Sequence, residues 1–181
     1  MNTNDIPPKT SWPVWIEHWH QFYDYKRYPE TEYVTGMVDA AKAKDKDSLI
    51  NALQRIFSWK EKRRLAWPKV IERISYSDWL RWQHSDEIPK AFAFGVVFNA
   101  FLAHVASNGR RPIIDQHVWR AYCCITSRVQ WKELGKINNN TAIKCYLEYE
   151  CWFRALVKEG LDARKLDKAL MAFGKSCPRQ S

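Results

Sequence analysis

Residues 109–122 read GRRPIIDQHVWRAY, and within them Asp115 is a lone carboxylate followed directly by Gln116 and His117. Pro112 disfavours helix at Arg111 and sets an extended approach. From Gln116 onward Val118, Tyr122 and Ile125 recur on one helical face, with Trp119 beside it. Asp115 therefore falls at or next to a helix N-cap, where two chemistries are open to it. As a cap its carboxylate accepts backbone N–H bonds, worth about 1 kcal/mol. As an acid at the positive end of a helix it can stabilise positive charge developing on a sugar as a C–N or C–O bond breaks.

Rival constellations are weaker. His18 and His20 in EHWH lie two residues apart, which on a helix points them to different sides, so exposed or packed histidines outweigh a metal site. Arg120, one turn beyond Asp115, has the spacing of a local ion-pair partner. The run WKEKRR at 59–64 is either a solvated basic face or, with Trp59 and Lys60 adjacent, a phosphate-facing patch. Five cysteines (123, 124, 145, 151 and 177), odd in number and without a CxxC, fit free thiols better than a disulfide framework or a zinc site.

The elements that must position Asp115 read as helical almost throughout. With six glycines in the chain, hairpin chemistry is scarce, and period-two alternation is absent. Ser11 is placed to cap a first helix that carries Trp15, Trp19 and Phe22 on one side. ETEYVTGMVDAAKAK and DSLINALQRIFSW follow, the second started by Asp47 or Ser48. Pro68 begins a short helix, Ser77 caps DWLRWQ, and HSDEIP (84–89) loops into AFAFGVVFNAFLAHVA (91–106), a helix apolar on nearly every side. Downstream, Ala142, Tyr146, Tyr149, Phe153 and Leu156 form one stripe that reads as core, with Lys144–Glu148 and Glu150–Arg154 pairs outside it. Gly160 stops that helix, and the last one buries Leu166, Ala169, Leu170 and Phe173 and stops at Gly174. The expected class is all-α, one domain over 1–181 with lobes at 1–85 and 86–181.

A net charge of +9 favours a polyanionic partner, nucleic acid first and a membrane surface second. The 91–106 stretch is too short to span a bilayer and contains Asn99 and His104. The first residues lack the basic-then-apolar pattern of a signal peptide, which points to a cytoplasmic protein with reduced thiols.

RPIIDQHVWRA resembles the catalytic segment of the helix-hairpin-helix/Gly-Pro-Asp DNA glycosylase superfamily. There a proline and two apolar residues precede the essential aspartate, and a histidine follows two places later. An apolar helix lies upstream, as in the family, and FSWK (57–60) and LDKALMAFGK resemble segments of small bacterial relatives. The resemblance covers roughly residues 57–175 and is specific over about a dozen around Asp115. It implies a compact glycosylase fold with two helical lobes around a DNA cleft. It also implies a monomer acting on duplex DNA that holds a damaged or modified base. Asp115 would be catalytic, with Trp59, Lys60, Lys90, Arg110, Arg111, Gln116, His117, Lys168 and Lys175 contacting DNA or the base, and with no metal or cofactor.

The departures sharpen that expectation. The family hairpin carries an LPGVG-type turn, whereas this chain has EIPKAFAFGVVFNAF with the single Gly95, so the phosphate grip falls to Lys60, Lys90, Arg110 or Arg111. The family's Schiff-base lysine position falls near Val96, which implies a monofunctional enzyme; Lys90 is the alternative nucleophile. The four-cysteine iron–sulfur loop of some members is absent. Three functions remain: a DNA N-glycosylase in repair or in defence against modified phage DNA, a DNA-binding module of the same fold without catalysis, and an unrelated helical scaffold.

Overall fold

The computed structural model describes residues 12–60, 71–85, 95–128 and 132–177, with the side chains of Lys60 and Gly135 left aside. Ser11, Pro68 and Lys90 lie outside the described residues. Those residues form eight α-helices and no strand. The helices are α1 (Trp12–His20), α2 (Glu30–Lys42), α3 (Lys46–Lys60), α4 (Tyr76–His84), α5 (Val96–Ala106), α6 (Gln116–Ile125), α7 (Asn139–Lys158) and α8 (Ala163–Ser176). A 3-10 turn at Leu134–Lys136 lies between α6 and α7. The class is all-α. Among the described residues no helix is long and apolar enough to cross a membrane.

The chain divides into two compact units that interleave in sequence. The first comprises the N-terminal residues through Tyr23, Gly95–Phe98 and everything from Pro112 onward; the second holds Asp24–Phe94 and Asn99–Arg111. Trp15 and Trp19 of α1 pack against Phe173 of α8 with ring centroids 5.4 and 5.0 Å apart, tying the first helix to the last. In the second unit Phe101 of α5 meets Phe57 edge-on at 5.0 Å and stacks on Trp59 at 6.4 Å.

Local signals set the helix starts, sometimes a residue or two from where propensity points. Ser75, rather than Ser77, caps α4: its side chain accepts from the Asp78 amide, and its hydroxyl donates to the Asp78 carboxylate at 2.7 Å. The Asp45 side chain accepts from the Ser48 amide at 2.8 Å, so the start of α3 is capped ahead of Asp47 and Ser48. Asn138 and Asp162 cap α7 and α8 through bonds to the amides of Thr141 and Lys165. The α7 stripe is buried from Ala142 to Leu156, and Gly160, at φ +95°, follows its end. Of the two flanking pairs, Glu150 lies 3.9 Å from Arg154, while Glu148 is bound by Arg128.

Gly174 plays a different part from the stop its position suggests. α8 continues through it to Ser176, and a Cβ built on Gly174 would sit 1.8 Å from the carbonyl oxygen of His117. The missing side chain lets α8 lie directly on the first turn of α6. Gly174→Ala is expected to destabilise the protein by about 1–3 kcal/mol despite alanine's better helix propensity, because backbone must move. Urea unfolding checks this; a variant at least as stable as the parent rules out the close approach.

Candidate active site around Asp115

Ile113 and Ile114 are buried and anchor the extended entry to α6. The Tyr146 hydroxyl of α7 donates to the carbonyl of Pro112 at 3.2 Å, pinning that entry from below. Asp115 then takes the N-cap position with φ −141° and ψ −176°. Its Oδ1 accepts from the amides of His117 at 2.8 Å and Val118 at 2.9 Å. Both cap bonds use the same oxygen, so the cap holds the carboxylate in one orientation. Asp115 and His117 are half-buried, and Gln116 is exposed.

Beneath this turn α7 contributes Tyr149, fully buried, whose hydroxyl finds no hydrogen-bond partner among the described residues. Burial pushes the Tyr149 hydroxyl well above the usual tyrosine range, and the charges of Asp167, Tyr146 and Asp115 act in the same direction. It stays a neutral O–H donor near two carboxylates. Asp167 is itself buried on α8 and accepts from Arg164 Nη1 at 3.0 Å. Arg120, 2% exposed, donates from Nε to Glu133 at 3.1 Å and from Nη1 to the Gly174 carbonyl at 3.0 Å. It thereby ties α6 to α8 and to the turn at 134–136.

Five of the expected site residues share the first unit: Asp115, Gln116 and His117 around the start of α6, and Lys168 and Lys175 on α8. Lys175 is exposed. Lys168 is 9% exposed and lies 5.8 Å over the Tyr23 ring, so its charge faces an aromatic and not open solvent. Trp59, Arg110 and Arg111 belong to the second unit. Trp59 is core, 2% exposed and packed on Tyr33 at 4.9 Å, because the start of the basic run is also the end of the buried face of α3. Arg111 is 5% exposed, its backbone held by Ser107 and His104. Arg110 is exposed but donates to the carbonyls of Ser107 and Gln83 at 3.0 and 2.9 Å, bridging two helix C-termini. It also lines a groove of about 450 Å³ with Gln83, His84 and Asn108.

His104 organises the chain leading to that arginine pair. Its Nδ1 lies 2.5 Å from the Arg111 carbonyl, so this nitrogen carries the proton, and Nε2 accepts from the Tyr33 hydroxyl at 2.6 Å.

Sequence patterning missed Tyr149 and Asp167 as members of this neighbourhood, and it expected a local ion pair for Arg120 where the structure pairs it with Glu133, 13 positions on. The signal was present in part: Asp167 and Lys168 interrupt an otherwise apolar buried helix, and Tyr149 carries its hydroxyl inside a core stripe. Among the described residues no group of three His, Cys, Asp or Glu is placed to hold a metal ion. Compared with protein-family models, curated proteins and solved structures, the chain finds no match.

Proposed function

We propose that this chain is a DNA N-glycosylase that removes a damaged or modified base and leaves the strand intact. The observation that carries the reading is the state of Asp115: a half-buried carboxylate locked by two amide bonds to one oxygen, at the positive end of α6. Preorganised charge of this kind stabilises a sugar cation without reorganising when the bond breaks. The target nucleotide is flipped from the duplex, at a cost of about a few kcal/mol that itself favours weakened pairs. As the C1′–N bond breaks, the base leaves with the bonding electrons and takes up a proton. Asp115 stabilises the oxocarbenium-like sugar and orients a water that delivers hydroxyl to C1′. Val96, at the start of α5 where the resembling family has its Schiff-base lysine, is apolar and buried, which favours base loss without strand cleavage.

A second reading has its own support. Capping by itself accounts for the two Oδ1 bonds of Asp115, as it would in a DNA-binding module without chemistry. One experiment separates the two: base release and strand scission measured on duplexes carrying oxidised, alkylated, deaminated or hypermodified bases, and on bacterial and phage DNAs. Mass spectrometry of the free bases names the substrate. Release without scission supports the glycosylase; salt-dependent binding with no base released on any DNA leaves only the module.

Under either reading Lys175, exposed on α8 where the equally exposed Lys165 is engaged by Glu17 at 3.0 Å, is the cation of that helix offered to a phosphate. Lys175→Ala is expected to weaken DNA binding uniformly across sequences and to lower the slope of log K against log salt by about 1. Binding isotherms at several salt concentrations measure it, and an unchanged slope removes Lys175 from the interface.

A further inference from the structure

The groove beside Arg110 lies within the second unit, where three helices end. Ala41 comes from the last turn of α2, Gln83 and His84 from that of α4, and Ala106 closes α5. The turn after α5 supplies Ser107, Asn108 and Arg110. Asn108 at φ +52° and Gly109 at φ +80° reverse the chain there. Their amides donate to the carbonyls of Val105 at 3.0 Å and His104 at 2.9 Å, which holds the reversal. The Ala103 carbonyl accepts from the Ser107 amide at 2.9 Å, and the Ser107 carbonyl from the Arg110 amide at 3.3 Å. The carbonyls at the end of α5 are thus largely satisfied by their own chain, so the groove is not ringed by bare acceptors.

Arg110 completes the arrangement. Its Nε and Nη2 donate to the carbonyls of Ser107 and Gln83 at 3.0 and 2.9 Å, which fixes the guanidinium in one orientation. Nη1, with two N–H groups, has no partner among the described residues. Nη1 and Nη2 share the edge with which a guanidinium grips an oxyanion bidentately. Among the described residues no Asp or Glu lines the groove, while His84 and the side-chain amides of Gln83 and Asn108 add donors. Ala41 and Ala106 offer only methyl groups, which leaves the volume of about 450 Å³ open. A cation already immobilised by its own chain loses little rotamer freedom when an anion arrives. We propose that this groove binds a phosphate group, held by Arg110 and flanked by His84 and Asn108. A DNA strand and a free nucleotide present the same phosphate oxygens to it. The site uses neither Asp115 nor base release, so it stands or falls apart from the glycosylase reading.

The test titrates inorganic phosphate into the full-length protein, followed by amide NMR, against chloride at the same ionic strength. The amides of Gln83, His84 and 107–110 should shift and saturate with phosphate, and stay in place with chloride. Arg110→Lys keeps the charge but loses the fork, and should weaken binding by about tenfold or more. Because Arg110 also joins two helix ends, His84→Ala serves as the second variant; it should weaken binding a few-fold and leave the remaining spectrum unchanged. A DNA duplex and a mononucleotide are then added in turn at constant ionic strength. Groove shifts caused by the duplex and reversed by phosphate assign the ligand to a DNA strand. Saturation by the mononucleotide but not the duplex assigns it to a free nucleotide, and saturation by phosphate alone to the free anion. Shifts that never saturate, that chloride reproduces or that fall outside the groove overturn the site.

Discussion

Asp115→Asn is expected to cut base release about 10²- to 10⁴-fold while leaving the fold as stable as the parent. The reason lies in the two roles the residue combines. Asparagine caps helices as well as aspartate, and its side-chain oxygen can keep accepting from the amides of His117 and Val118. The substitution therefore removes the negative charge and little else. Asp115→Ala removes both the charge and the cap, and should cost a further 1 kcal/mol or about that in unfolding experiments. Single-turnover base release, read beside urea denaturation of the same three proteins, separates chemistry from capping. Equal release by the parent and Asp115→Asn would leave Asp115 a cap and nothing more.

The largest stability effect should come from Arg120→Ala, at about 3–5 kcal/mol. The Arg120 side chain is 3% exposed and that of Glu133 is 15% exposed, so removing the guanidinium strands a carboxylate that water barely reaches. The Gly174 carbonyl loses its partner as well, at the point where α6 and α8 touch. Arg120→Met fills the volume without the charge and should fall short of the parent too, since Glu133 is still left unpaired. Only the double replacement of Arg120 and Glu133 by apolar residues should recover most of the loss. A double-mutant cycle by urea unfolding measures the coupling; a coupling near zero would mean the pair is held by its surroundings and contributes nothing itself.

Much of the frame around Asp115 was legible in the order of residues. The proline-led entry, the cap and the α7 stripe each depend on neighbours within four positions, and all three are present. The availability of the cations was not. Arg111, Lys168 and the ring of Trp59 belong to a basic, aromatic chain of the kind that binds polyanions, yet all three are buried. Their burial comes from partners far along the chain, such as Tyr23 beneath Lys168 and Tyr33 against Trp59. Charge counting sums over side chains without regard to where they point, so it registers a potential and not an interface.

The same division holds for the whole molecule. Helical class, most helix starts to within a residue or two (the apolar helix expected over 91–106 instead begins at Val96, after a non-helical Gly95), and the position of Asp115 at a cap follow from short-range hydrogen bonds and from the 3.6-residue period. Those forces act between neighbours and leave their trace in spacing. The role of Gly174 as a contact and not a stop, and the burial of Arg120 between Glu133 and the Gly174 carbonyl, both required packing between α6 and α8. Residues more than fifty positions apart are brought together there by the burial of apolar surface, which is non-directional and writes no local signature of which partner each residue will meet.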